Sequence, residues 1–261
     1  MIIDSHVHVI LPLSDLLNTM DQAGIDRTIL FPTVVHPERA SDLISLNQEL
    51  QVLNGILGGQ VSPLEAYRTA MEELLQSIGL YPDRFYGFGR VPLGLTPEET
   101  GNLIQKTIVD NGLKGLGEFA VAPGQTAALQ PVFAASAELG QLPLWIHSFF
   151  PLGLSDIKDI DTLSRRFDGV PVIMGHMGGT HWAEVIELAV ANPNLYLDLS
   201  AMFTVLAPRM AIRELPERVL FGSDAPYGDP LLVRQMIERI TPDKSVRELV
   251  LGRNVAELLN L

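Results

Sequence analysis

The feature that most constrains this chain is a rhythm repeated eight times: a short apolar, β-branched run followed by a stretch with helical periodicity. "MIIDSHVHVI" precedes a helical pattern over 13–23, and "TILFPT" a longer helical region. "RFYGFGRVP" precedes 96–110, "LKGLGEFA" 127–139, and "LPLWIHSFF" 153–167. "VPVIMGHMGG" precedes 180–191, "LYLDLSA" 204–214, and "RVLFGSDAPYG" 230–240, and a last amphipathic stretch over 245–260 closes the chain. Strand–helix alternation implies parallel strands joined by right-handed crossovers. Eight units in 261 residues match a (β/α)8 TIM barrel. A doubly wound open sheet needs fewer units and a glycine-rich first turn, where this chain places histidines.

One domain spanning 1–261 is expected, with an insertion of two helices over 38–79 between strands two and three. The second of these reads as "SPLEAYRTAMEELLQSIG", with Ser62 as N-cap, Pro63 in the first helical position, Glu65 as capping partner and Gly79 as terminator. Extra wrapping of the barrel is the plain reading of the insertion; a substrate lid or dimer surface is the other. The net charge of -13 lacks the basic footprint that nucleic acid or anionic membrane requires. No apolar stretch approaches a membrane span and no leader is visible, so a soluble, cytoplasmic protein is expected. With no cysteine, any metal site must use His, Asp or Glu.

In such a barrel the functional face lies at the C-terminal ends of the strands. Strand one ends in His6 and His8, strand four in Glu118, strand five in His147, strand six in His176 and strand eight in Asp224. In an extended strand Ile2, Asp4, His6 and His8 share one face. Two imidazoles two residues apart can then converge on one ion, with donors from facing strands completing its shell. Nitrogen and oxygen donors suit Zn²⁺ first, with Mn²⁺, Fe²⁺ and Co²⁺ open. Arg90 ends strand three, where its planar fork suits either a substrate carboxylate or an internal ion pair. Asp4 is expected to be a buried supporting carboxylate and Asp229 a helix cap. His36 reads as a solvated loop residue, His181 as a surface or capping residue, and Phe149, Phe150 and Trp182 as an apolar pocket wall.

The ordered set "IIDSHVH", "PLWIH", "VIMGHMGG" and "LFGSDAPYG" resembles the amidohydrolase superfamily, in particular its aminocarboxymuconate semialdehyde decarboxylase-like branch. The resemblance implies that His6, His8, His147 and Asp224 bind a catalytic metal, with His176 as acid/base or polarising group. Many two-metal members use a carboxylated lysine on strand four, but Lys114 lies too early. Glu118 instead resembles the bridging glutamate of the metal-dependent deoxyribonuclease-like hydrolases. If it bridges, His147 and His176 hold a second ion, so the count stays open at one or two.

The leading expectation is hydrolysis of an amide, ester or related bond in a small molecule by metal-activated water, with Asp224 moving the proton and His176 steadying the oxyanion. The alternative is non-oxidative decarboxylation or hydration of a small unsaturated or aromatic acid, its carboxylate held near the metal and Arg90. A metal- or small-molecule-binding protein without turnover is the third. Resemblance and composition also imply a homodimer, with 38–79 or later helices as its interface.

Overall fold

The computed structural model describes residues 1–60 and 64–261. Eight parallel strands run in the order β1 to β8, each paired with the next in the chain. They are β1 (Ile3–His8), β2 (Arg27–Phe31), β3 (Phe85–Gly89), β4 (Gly115–Phe119), β5 (Leu144–His147), β6 (Val172–Gly175), β7 (Leu195–Asp198) and β8 (Val219–Leu220). The eighth strand is short, and the barrel closes through the segment that follows it. Ser5 N donates to Phe221 O, Asp224 N to His6 O and His8 N to Ala225 O, at 2.8–2.9 Å. The result is a (β/α)8 TIM barrel.

Side-chain parity builds two cores. Trp145, Ile173 and Leu220 turn inward and pack with Ile3, Ile29, Phe31 and Phe88 inside the barrel. Their sequence neighbours Leu144, Ile146, Val172, Met174, Val219 and Phe221 turn outward to the helical layer. In β3, Tyr86 and Phe88 belong to the inner set, and Arg90 continues it past the end of the strand. Gly87 and Gly89 face out, where any Cβ would strike Ile78, Ile108 or Leu113 within 3 Å, so these side chains pack directly on the strand backbone.

The helical layer comprises α1 (Leu13–Ala23), α2 (Leu43–Leu57), α3 (Leu64–Leu80), α4 (Pro97–Ile104), α5 (Gln130–Glu138), α6 (Leu154–Arg166), α7 (Trp182–Ala191), α8 (Leu206–Glu214), α9 (Pro230–Ile240), α10 (Lys244–Glu248) and α11 (Asn254–Leu259). Local chemistry sets their ends. Gly24, at φ 61°, stops α1 in a left-handed turn. Thr96 and Glu99 close a capping box over α4, and Asp229 caps α9 through Leu232 N. Between β2 and β3 lie two helices, α2 and α3. The caps expected at Ser62 and Pro63 lie outside the described residues, and Gly79 does not terminate α3, which runs on to Leu80. No helix among the described residues is long and apolar enough to cross a membrane.

Strict alternation fails within β1. The pairing register with β2 shifts between Asp4 and Val7. Ile3 therefore joins the inner cluster with Phe31 and Trp145, against whose rings His6 also packs at 4.9 and 5.1 Å. Asp4 is displaced sideways toward β8 rather than sitting one pleat beneath His6, because an irregularity changes which face each residue occupies.

Candidate metal centre

The C-terminal mouth of the barrel gathers all six expected strand-end residues. His6 is fully buried, and His8, Glu118, His147, His176 and Asp224 line a cavity of about 310 Å³ above it. Their donor atoms fall into two groups that share Glu118. In the first, His8 Nε2 lies 3.2 Å and His6 Nε2 3.7 Å from Asp224 Oδ1. Glu118 Oε2 is 3.6 Å from His6 Nε2 and 4.0 Å from His8 Nε2. In the second, Glu118 Oε1 is 3.2 Å from both His147 Nδ1 and His176 Nε2, which are 3.1 Å apart. Donors about 2.1 Å from a tetrahedral ion lie about 3.4 Å from one another, so both spacings suit a divalent cation. His147 thus stands with Glu118 and His176, not in the group formed by His6, His8 and Asp224.

The hydrogen bonds behind the imidazoles decide which nitrogens face the cavity. His6 Nδ1 donates to Asp198 Oδ2 at 2.9 Å, leaving the buried Nε2 without a hydrogen-bond partner. The Ser200 hydroxyl donates to the same Asp198 oxygen at 2.5 Å. It must therefore accept from His176 Nδ1, 2.8 Å away. His147 Nε2 donates to the Phe150 carbonyl at 3.0 Å, which frees its Nδ1. Three imidazoles thus present lone pairs to one space, as metal ligands oriented by outer partners do. An orphaned, buried His6 Nε2 among carboxylate oxygens fits a bound cation and has no other evident purpose.

The carboxylates make this space attractive to positive charge, whether a proton on a ring or a cation among the rings. Burial alone would neutralise these groups, but their mutual attraction wins. His6 and His176 are held above the ordinary histidine range, the former by Asp198 and Glu118 and the latter by Glu118 and Asp224, against the opposing effect of burial. Burial would also raise both carboxyls, yet Glu118 is held well below its ordinary range by His6, His147 and His176, and Asp224 below its own by His8, His176 and His6. The two carboxylates are ionised and directed at the same space.

Asp198, at the end of β7, escaped the sequence reading. It is fully buried and accepts from His6 Nδ1, His176 N, Ser200 N and Ser200 Oγ. The signal was present, since "LYLD" ends a strand in a carboxylate. Asp4 belongs to none of the ligand groupings. Its Oδ1 accepts from Ser223 N at 2.9 Å and His6 N at 3.3 Å, tying β1 to the segment after β8. Burial pushes its carboxyl up to about 7 against those hydrogen bonds. Gly222 must lack a side chain, because a Cβ there would lie 2.4 Å from Asp198 Oδ1 and 2.8 Å from His6 Cβ. His176 and Asp224 both have φ of 59°, a strained setting for non-glycine residues that clusters at functional sites.

Arg90 reaches the cavity wall, and among the described residues no carboxylate lies within ion-pair distance of it. Of the two readings of Arg90, the internal ion pair is not formed among the described residues, and burial lowers the pKa of the guanidinium without abolishing its charge. His36 is buried rather than solvated, because its Nδ1 pairs with Glu38 Oε1 at 3.0 Å and its amide donates to Glu49. His181 sits at the N-cap of α7 with no side-chain capping bond. Phe149 and Phe150 line the cavity, whereas Trp182 packs against the helical layer. Lys114 precedes β4, its ammonium 5.8 Å from the Tyr86 ring centroid, far from the bridging role.

A (β/α)8 barrel whose mouth gathers four imidazoles and two ionised carboxylates defines an enzyme class that works through a divalent metal. The amidohydrolase family model (Amidohydro_2) matches residues 3–261, and the chain belongs to that family. Its fold is similar to that of 5-carboxyvanillate decarboxylase from Sphingomonas paucimobilis, with 18% identity, a TM-score of 0.69, and coverage of 100% of this chain and 99% of that one. A dihydroxybenzoic acid decarboxylase from Polaromonas sp. JS666, solved with manganese and 2-nitroresorcinol, gives 18% identity and a TM-score of 0.67, covering 100% of this chain and 97% of that one. An uncharacterised TIM-barrel protein from Bordetella bronchiseptica gives 19% identity and a TM-score of 0.72, with coverage of 99% and 98%. Comparison with curated proteins gives no significant match.

Proposed function

We propose that this enzyme removes the carboxyl group of a small aromatic or unsaturated acid without oxidation, the reading that stood second in the sequence. The observation that carries it is Arg90: a cation with no carboxylate partner among the described residues, lining the same cavity as the metal-ligand set. A substrate carboxylate would satisfy such a group with charge-assisted hydrogen bonds, and in a decarboxylase the group so held is the one that leaves. Decarboxylation of aromatic acids is also what the Sphingomonas and Polaromonas relatives are named for.

The residues divide the work. His6, His8 and Asp224, with Glu118, would hold a divalent ion; the manganese of the Polaromonas enzyme makes Mn²⁺ the first candidate and Zn²⁺ the second. The ion supplies electrophilic polarisation of substrate oxygens. Arg90 holds the carboxylate. The bond between that carboxyl and the adjacent carbon breaks, its electron pair stays on the carbon, and carbon dioxide leaves. The proton that completes the product would come from His176, whose imidazole Glu118 and Asp224 hold above the ordinary histidine range and which the grouping of His6, His8 and Asp224 does not need as a ligand.

Hydrolysis is the second reading. It is favoured by Glu118, which turns one oxygen to each donor group as a carboxylate bridging two ions would. Isotopes separate the readings. Manganese-loaded protein given hydroxybenzoates in D2O is expected to release CO2 and leave one deuterium at the vacated carbon. Esters or amides consumed with ¹⁸O uptake from water, and no CO2, would overturn decarboxylation in favour of hydrolysis. His6→Ala is expected to abolish both metal content and turnover. The homodimer expected from 38–79 belongs to the same proposal, and light scattering tests it.

A further inference from the structure

Beside the metal cavity lies a second and larger chamber of about 620 Å³, and the two share Ile56, Arg90 and Ala120 in their walls. Its lining comes from the end of α2, from α3, and from the segments that follow β3 and β4. Apart from the shared Arg90, the described residues of that lining contain no carboxylate, imidazole or ammonium group. The Tyr67 hydroxyl already donates to the Arg90 carbonyl, and burial pushes its phenol up to about 12, so it stays neutral and engaged. A charged group entering the chamber would find only Arg90, at the entrance from the metal side, and the neutral amides of Gln60 and Gln125 to replace its hydration. An apolar group would gain burial against Ile56, Leu93, Phe119 and Val121.

The helix between the two spaces supplies an independent observation. α2 carries Leu43, Ile44, Leu46, Leu50, Val52, Leu53, Ile56 and Leu57, yet not one of its residues is buried. Leu53, Ile56 and Leu57 are half-buried and line the metal cavity, and Ile56 lines the chamber as well. The apolar face of the helix therefore continues from the metal cavity into the chamber at Ile56.

We propose that the second chamber is the binding site for an uncharged apolar arm of the substrate, and that the two-helix insertion between β2 and β3 sets this specificity. The inference rests on the carboxylic-acid reading above and adds the rest of the molecule. The acid head lies at Arg90 and the metal-ligand set, and an alkyl or second aromatic group extends past Arg90 into the chamber.

The test compares benzoate with 3- and 4-hexylbenzoate by calorimetry on manganese-loaded protein. Each buried methylene is worth about 0.8 kcal/mol, roughly a fourfold gain in affinity. At least one hexyl isomer is therefore expected to bind tenfold or more tightly than benzoate. Ala128→Phe fills the chamber without touching the metal cavity. It is expected to reduce that gain to less than about threefold and to leave benzoate affinity unchanged. Leu93→Trp, from a different wall, should do the same. If both hexyl isomers and benzoate bind equally and neither variant changes anything, the chamber is not a substrate site, while the acid reading stands. If none of the acids binds to protein that holds manganese, the acid reading fails and takes the chamber with it. Where the variants do not fold, a crystal structure of the natural sequence with the tighter hexylbenzoate decides. The hexyl chain between Ile56, Tyr67 and Ala128 supports the proposal; a chain directed out past Phe150 overturns it.

Discussion

Asp198 accepts four hydrogen bonds, and its bonds to His6 Nδ1 and, through Ser200, to His176 determine that both rings present Nε2 to the cavity. An asparagine at this position would place an amide donor among groups that are themselves donors. One ring would then have to turn its lone pair inward and lose it as a ligand. Asp198→Asn is expected to weaken Mn²⁺ binding by 10–100-fold in calorimetry, while the metal-free protein keeps its far-ultraviolet circular dichroism. Unchanged affinity would show that the carboxylate is only a packing group. Gly222→Ala should reach the same end by a different route, since its Cβ displaces Asp198 and His6 directly; metal per chain, measured on purified protein, should drop. Arg90→Gln is expected to weaken benzoate binding by about 10–100-fold at full metal occupancy, the loss of a charge-assisted pair. At this scale the convergence of the six strand-end residues was legible because a carboxylate or imidazole ending an apolar strand is conspicuous. Asp198 satisfied that rule and was passed over. The pairing of His147 with His176, and the nitrogen each ring offers, depend on distances between strands that a sequence does not contain.

Elements were legible wherever local chemistry decides their ends. Patterns read over 13–23, 153–167 and 230–240 fall within a residue or so of α1, α6 and α9, because apolar periodicity and caps operate inside each segment. The irregularity in β1 was not legible, since the shift between Asp4 and Val7 is made by pairing with β2 and by closure onto the segment after β8. The caps also carry a pH signature. Asp42 is held low by the amide of Ser45, Glu99 by that of Thr96, and Asp243 by the hydroxyl and amide of Ser245. Folded values below the ordinary 3.8 and 4.5 mean that their stabilisation is fully present above those values. It disappears as pH falls through the lower folded ones. The triple variant Asp42→Asn, Glu99→Gln, Asp243→Asn is therefore expected to melt lower at neutral pH. It should lose less of its remaining Tm between about pH 5 and pH 3 than the natural sequence. Parallel melting curves across that interval would remove these carboxylates from the acid sensitivity of the fold.

For the whole molecule, the six mouth residues would, on the metal-binding reading proposed above, also act as a structural clasp. His6 and His8 come from β1, Glu118 from β4, His147 from β5, His176 from the end of β6 and Asp224 from beyond β8. These strands meet at the end of the barrel where closure depends on a few backbone hydrogen bonds around β8, itself only two residues long. Removing a cation leaves ionised Glu118 and Asp224 buried among imidazoles, held by hydrogen bonds that bring the strands together less firmly than coordination would. The unfolded chain scatters these ligands over more than 200 residues, so the ion stabilises the native state by mass action. At a thousandfold excess over its dissociation constant that amounts to about 4 kcal/mol. For a domain of this size the corresponding change in Tm is roughly 8–16 °C. Stripping metal with a chelator is therefore expected to lower the Tm by about that interval, and adding Mn²⁺ in excess of the chelator should restore it. The His6→Ala variant should start from the lower Tm and ignore both treatments. A Tm that does not respond to chelator in protein shown by elemental analysis to have lost its metal would mean that the barrel closes without the clasp. Its mouth would then be rigid before any ion arrives, held by Asp4 on Ser223 and by Asp198 on His6.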